Sequence, residues 1–273
     1  MRCAHGGAVA APGARPAARL AAVSADGPRL VLFDIDGTLI STGGRAGRVL
    51  DRALERTFGR PVPSAGYRYA GKTDPQIVYE LMALAGLDRA MVAPRLEEAL
   101  ERYVAGLHET FGPGDARVLP GAAELLDLLA ARADVRLGLL TGNVEPGAAV
   151  KLAAAGLEHY FTLGAFGSDD EDRSRLVPVA RERAAARWGE GFAGSRTVVV
   201  GDAEADVACA RAGDARAIAV ASGPTPRERL AALAPDALFD SLADPGVLEA
   251  IVARDHPPGP QGRQSSVESQ EHG

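Results

Sequence analysis

The stretch Arg29-Leu30-Val31-Leu32-Phe33-Asp34-Ile35-Asp36-Gly37-Thr38 decides the reading of this chain. A short apolar run, bounded by Gly27-Pro28 and by Gly37, stops at two carboxylates one residue apart. Such a run suits a buried parallel strand. Acids so close repel one another, and desolvation raises that cost. A divalent cation, or a division of labour between an acid and a base, makes the arrangement sensible. The plain alternative is a solvated turn that happens to hold two aspartates, and the rest of the chain argues against it.

The same pattern recurs downstream. Val135–Leu140 runs into Thr141-Gly142-Asn143, and residues 197–200 run into Gly201-Asp202. A weaker run, 160–166, stops at Gly167, another, 217–221, at Ser222-Gly223, and a sixth covers 237–240. Helical patterns separate these runs at 121–131, 146–155, 176–188, 203–211 and 226–234; in the first, Leu125, Leu126, Leu128 and Leu129 are expected on one face. Strands alternating with helices predict an α/β fold, a Rossmann-like parallel sheet flanked by helices.

One interval breaks the rhythm. About 75 residues between the first strand and the helix near Pro120 hold no convincing strand and three helical patterns, at 45–58, 75–85 and 94–111. They predict a helical module inserted after the first strand, above the carboxyl ends of the strands, where α/β sheets bind ligands. The expected division is a core of 28–41 and 117–253, a helical insert of 42–116, and two disordered tails, 1–27 and 254–273, rich in Pro, Gly and polar or small residues.

Composition bounds the function. The 273 residues are 47% hydrophobic and 24% charged, ordinary for a globular protein, with a formal charge of −6. That balance argues against a nucleic-acid or membrane-surface binder, which needs an excess of basic residues. No apolar run approaches the roughly 20 residues that cross a bilayer. Proline and arginine break the apolar stretches of 1–27, so a disordered extension or an early start codon is expected there rather than a leader. Cys3 and Cys209 are not expected to pair, which fits a reducing cytoplasm. Lysine occurs only at Lys72 and Lys151; the other basic residues are arginine.

In a parallel sheet the strand ends share one rim. That rim would gather Asp34, Asp36, Asp202 and Asp206 with the hydroxyl of Thr141. Carboxylates without histidine or cysteine nearby are hard ligands that suit Mg²⁺. A threonine hydroxyl beside free N–H groups suits a phosphate. An aspartate can serve as the nucleophile that forms an aspartyl-phosphate, and a second can give and take the proton.

With these residues in place the chain resembles the haloacid dehalogenase superfamily of phosphatases over roughly 29–250. Asp34-Ile35-Asp36-Gly37-Thr38 is similar to its first motif, Leu-Leu-Thr141-Gly-Asn to its second and Gly201-Asp202-Ala-Glu-Ala-Asp206 to its fourth. The insert resembles the helical C1 cap of the branch that holds phosphoglycolate phosphatase and β-phosphoglucomutase. The resemblance implies Asp34 as nucleophile and Mg²⁺ ligand, and Asp36 as general acid/base with its backbone carbonyl on the metal. It implies Thr141 and the Gly142 N–H as phosphoryl holders, Asp202 as a Mg²⁺ ligand, and Asp206 as support to the metal, directly or through water. The substrate class it implies is a small phosphorylated metabolite.

The chain departs from the family at the third motif, where a lysine is usual. Residues 169–176 offer only Arg173 and Arg175; distance from the following helix favours Arg173, and arginine can grip phosphate bidentately. Asn143 is read either as a phosphate contact or as a helix cap. Lys72, ahead of a helix that Asp74 would cap, is read either as a surface residue or as a substrate-binding lysine of the insert, and Arg45 after Gly43-Gly44 likewise. Glu204 reads as helix surface, Trp188 as packing and the five histidines as surface or tail.

The expected function is a Mg²⁺-dependent phosphatase for a phosphoglycolate-like or sugar-phosphate monoester. The alternatives are a phosphomutase of the same family and a catalytically weak binding or regulatory protein, the latter prompted by the absent lysine. A dehalogenase is disfavoured by the presence of Asp36. The sequence leaves the oligomeric state open.

Overall fold

The computed structural model describes residues 27–253. The expectations for the segment before Gly27 and for 254–273 lie outside the described residues. Strand β1 (Arg29–Phe33) leads through the two-residue β2 (Ile40–Ser41) into four helices: α1 (Arg45–Phe58), α2 (Asp74–Leu84), α3 (Arg89–Val92) and α4 (Leu96–Thr110). The chain returns through β3 (Arg117–Val118), antiparallel to β2. It continues as α5 (Ala122–Ala130), β4 (Val135–Leu140), α6 (Glu145–Ala155), β5 (Gly164–Ala165) and α7 (Leu176–Trp188). It closes with β6 (Thr197–Gly201), α8 (Glu204–Ala212), β7 (Arg216–Val220), α9 (Arg227–Ala232), β8 (Ala237–Phe239) and α10 (Val247–Val252).

Six strands form one wholly parallel sheet in the order β5-β4-β1-β6-β7-β8. The central β1 is apolar and fully buried from Leu30 to Phe33 because both faces are covered. Val31 and Phe33 join one core cluster with α5, α6, α10 and the helices α1, α2 and α4. Leu30 and Leu32 point the other way, into a cluster with α7, α8 and α9. The alternation is the two-residue period of a strand. The α/β fold expected from the sequence is the fold observed.

Four details differ from expectation. The third strand shrinks to Gly164–Ala165, because Glu158–Tyr160 turns as a 3₁₀ helix and Phe161 packs edge-on against Phe33 and Tyr160. Leu128 is exposed while Leu125, Leu126 and Leu129 are buried. At about 100° per residue it lies beyond the edge of the buried arc. Helix α4 begins at Leu96, after a 3₁₀ turn through Pro94. The two-residue strands β2 and β3 carry no readable period and were not expected.

Candidate active site

The site grows from the carboxyl ends of β1, β4 and β6. The backbone N–H of Asp34 donates to the Val200 carbonyl at 2.9 Å, which fixes the aspartate at the rim between two central strands. The chain then turns at Gly37 with a φ of +91°; a Cβ there would lie 2.4 Å from Asp202 Oδ2. Only glycine allows both that conformation and that approach. Gly223, after β7, is as close: its Cβ would stand 1.7 Å from the same oxygen. Two strand-end loops are thus shaved down to make room for one carboxylate.

Asp34, Asp202 and Asp206 are buried, and each offers an oxygen within 4.8 Å of the others. Thr38 Oγ1 donates to Asp202 Oδ1 at 3.0 Å, while Asp202 Oδ2 is buried with no hydrogen-bond partner. Asp206 is held by protein on both sides: Oδ2 accepts the Ala203 N–H at 2.9 Å and Oδ1 accepts Arg173 Nη2 at 2.5 Å. The same guanidinium nitrogen lies 3.1 Å from Asp34 Oδ1 and donates to the Leu140 carbonyl at 3.2 Å. Burial, reinforced by Asp34 and Asp206, pushes the Asp202 carboxyl well above the ordinary range. Burial likewise pushes Asp206 up to about 6 against the pull of Arg173. Burial opposes the charge on Arg173, yet Asp206 and Asp34 hold it firmly cationic. Ionised together, the three acids would outnumber the one guanidinium by two negative charges, and burial resists that state without a further cation. Together with the orphaned oxygen of Asp202, that charge balance fits a hard divalent cation.

Arg173 therefore occupies the place for which the sequence offered two arginines. Arg175 points outward, 70% exposed, toward Asp170 at 3.4 Å and Asp172 at 3.7 Å.

Asp36 lies beside this cluster with a half-exposed side chain. Its Oδ2 accepts Asn143 Nδ2 at 2.9 Å and Lys151 Nζ at 2.7 Å. Asn143 also donates to Thr141 Oγ1 at 2.8 Å and accepts from Lys151 at 2.5 Å. Asn143 is thus a site residue; the residue at the N-cap of α6 is Val144, which offers no side-chain cap. Thr141 is fully buried, and its hydroxyl, filled as an acceptor by Asn143, keeps a proton to donate. Lys151 was missed in the sequence. The one available signal was a lone lysine, one of only two in the chain, inside the apolar helix Glu145–Ala155. Burial opposes its charge, but Asp36, Tyr103 and Asp74 hold its amine above the usual range.

The helical segment closes over these groups. Thr73, not Asp74, caps α2, accepting the Gln76 N–H at 3.2 Å and donating to the Glu171 carbonyl at 2.8 Å. Asp74 is freed to reach the core: its N–H donates to the Gly142 carbonyl at 2.7 Å and its carboxylate accepts the Val144 N–H at 2.8 Å. A Cβ on Gly142 would lie 2.0 Å from the Lys72 carbonyl, so glycine is what lets the two segments meet. Between them a cavity of about 560 Å³ holds Asp34, Asp36, Thr141, Gly142 and Lys151, with Lys72 in its wall. The Lys72 ammonium is paired with Glu80 and stands 4.3 Å from the centre of the Tyr67 ring. Arg45 does not line the cavity. It binds Asp115 at 2.8 Å and the Thr110 carbonyl at 2.5 Å and stacks over Phe111; Arg48, one turn on, lines the wall instead. Glu204 is half-buried at the surface of α8 and paired with Arg229 at 2.7 Å, outside the acidic cluster.

A buried acidic cluster holding one guanidinium, set at the carboxyl rim of a parallel sheet, defines the class: an α/β protein of Rossmann-like architecture with its polar site at the strand ends. The haloacid dehalogenase-like hydrolase family profile matches residues 31–211, and the chain belongs to that family. It is 31% identical over 223 residues to phosphoglycolate phosphatase of Rhodospirillum rubrum, covering 80% of this chain and 90% of the relative. The Agrobacterium fabrum phosphoglycolate phosphatase is 28% identical over 230 residues, with coverages of 82% and 94%. CbbY of Rhodobacter sphaeroides, solved in complex with phosphate, shares the fold with a TM-score of 0.61 at 21% identity, covering 82% of this chain and 99% of that one. Among the described residues no helix is long and apolar enough to cross a membrane.

Proposed function

We propose that the chain is a Mg²⁺-dependent phosphatase acting on a small phosphate monoester of the phosphoglycolate type, through an aspartyl-phosphate on Asp34. The observation that carries this reading is the convergence of Asp34, Asp202 and Asp206 on one buried point, with Arg173 bridging two of them. Asp34, Asp202 and the Asp36 carbonyl would hold the cation, and Asp206 would hold Arg173 and the turn before α8. When bound, Mg²⁺ supplies positive charge against the phosphoryl oxygens.

Arg173 and the Thr141 hydroxyl orient the phosphoryl group toward Asp34. The Asp34 carboxylate attacks phosphorus while the Asp36 carboxyl gives its proton to the departing alkoxide, which leaves as an alcohol. Asp36, now ionised, takes a proton from a water that attacks the aspartyl-phosphate; inorganic phosphate leaves and Asp34 is restored. Residues 42–116 act as a cap on the core of 28–41 and 117–253, excluding bulk water during the first step. The contacts of Thr73 and Asp74 with the core support this division.

Release of phosphate from p-nitrophenyl phosphate and from phosphoglycolate, with Mg²⁺ and with EDTA, tests the reading. Both esters are hydrolysed with Mg²⁺ and neither with EDTA; undiminished turnover in EDTA refutes the metal assignment.

A further inference from the structure

Two donors converge on a single oxygen of Asp36. Lys151 Nζ lies 2.7 Å from Oδ2 and Asn143 Nδ2 lies 2.9 Å from the same atom. Lys151 also donates to Asn143 Oδ1 at 2.5 Å, which fixes the orientation of the amide. The three side chains form a closed triangle on Oδ2 of Asp36, a residue that lines the cavity. Lys151 is 4% exposed, and Tyr103 of α4 and Asp74 of α2 stand beside it. A buried ammonium is costly to desolvate unless fully paired, so its place is set by these partners. Nothing else in the mechanism above uses it: the phosphoryl group is met by Arg173 and Thr141, and Lys151 faces the acid.

We propose that Lys151 is a positioning residue for the proton transfer. Together with Asn143 it pins Oδ2 of Asp36, so that the proton given to the leaving oxygen is carried by Oδ1. The inference rests on the reading of Asp36 as the general acid. A carboxyl held by one oxygen has one rotamer available for donation; released, it samples several, and general-acid catalysis falls with the fraction correctly placed. Lys151 leaves binding of the phosphoryl group untouched.

The test compares two esters on the wild type, K151M and K151R. A phenolate leaves without needing a proton, whereas an alkoxide does need one. The kcat/KM, which reports steps up to formation of the aspartyl-phosphate, is read for p-nitrophenyl phosphate and for phosphoglycolate. In K151M the value for phosphoglycolate falls about 10²-fold and that for p-nitrophenyl phosphate less than about tenfold, the difference being the general-acid contribution. K151R recovers part of the loss, and affinity for inorganic phosphate, read by calorimetry, stays within about twofold of wild type. An equal loss on both esters overturns the proposal, as does a phosphate affinity that falls in step with kcat/KM. Should K151M lose its native circular dichroism, the same two-ester ratio is read on K151R and N143S. A wild-type ratio in both overturns the proposal, and a shifted ratio sustains it. Failure of the wild type on both esters in Mg²⁺ sinks the phosphatase reading instead.

Discussion

The carboxylate of Asp74, in the first turn of α2, accepts the backbone N–H of Val144, in the loop after β4, at 2.8 Å. This bond ties the helical segment to the loop that carries Thr141 and Asn143, and it is made by a buried acid.

Burial lifts the Asp74 carboxyl from 3.8 to about 6, against the pull of Lys151 and the Val144 N–H. A folded-state value above the unfolded one means that the protonated form is favoured by folding. The stabilisation is full below the unfolded value and is lost as pH rises through about 6. About two pH units at roughly 1.4 kcal/mol each amount to about 3 kcal/mol. Between pH 4 and pH 7 the wild type should lose about that much stability relative to D74N, whose amide cannot ionise. Urea unfolding of the two proteins across this range measures the difference; a constant gap between them removes Asp74 as its source.

Asp34→Asn removes the proposed nucleophile and should lower turnover of any monoester at least about 10³-fold. Asp36→Asn should slow both halves of the reaction, and on prolonged incubation part of the chain should gain the mass of one phosphoryl group. Rapid-quench mass spectrometry reads this directly. Activity retained in Asp34→Asn contradicts the nucleophile assignment.

Arg173→Ala leaves Asp34 and Asp206 facing each other in a buried site without their shared cation. The loss should be about 10²-fold or more in kcat/KM and about 3 kcal/mol in stability without added metal. Arg173→Lys should retain more activity, since one point charge still reaches both acids. Arg175→Ala, at an exposed position, should change kcat/KM by less than about twofold and stability by less than about 0.5 kcal/mol. Equal effects at the two positions would undo the assignment of Arg173.

Mg²⁺ should raise the melting temperature, by about 3 kcal/mol of stability at a hundredfold excess over its dissociation constant. Asp202→Asn should abolish this response. Gly223→Ala should also weaken it, because the added Cβ would stand 1.7 Å from Asp202 Oδ2 and displace the carboxylate. Differential scanning calorimetry with and without the ion is sufficient; a metal-induced shift that survives Asp202→Asn places the cation elsewhere.

The strands were legible because β1, β6 and β7, buried on both faces, are short runs that are apolar after their first residue, and because each ends in a polar turn. Asp34, Thr141 and Asp202 were legible for the same reason: each follows the end of such a run, and the parallel topology puts those ends on one rim. Strands β2 and β3 were not, since a two-residue strand has no period to read.

The sequence by itself therefore determined the sheet, the insertion of helices after β1 and the acids of the rim, all consequences of local hydrophobic patterning and of residues next to strand ends. Tertiary structure alone chose Arg173 over Arg175, because two positions along a 3₁₀ turn point to different sides and only packing decides which guanidinium faces inward. It turned Arg45 toward Asp115 and brought Lys151 to Asp36 across 115 positions of chain. A buried charge is placed by its partners. Those partners come from the loops after β1 and β4 and from α2 and α4, and no pattern within α6 records which of its faces they will meet.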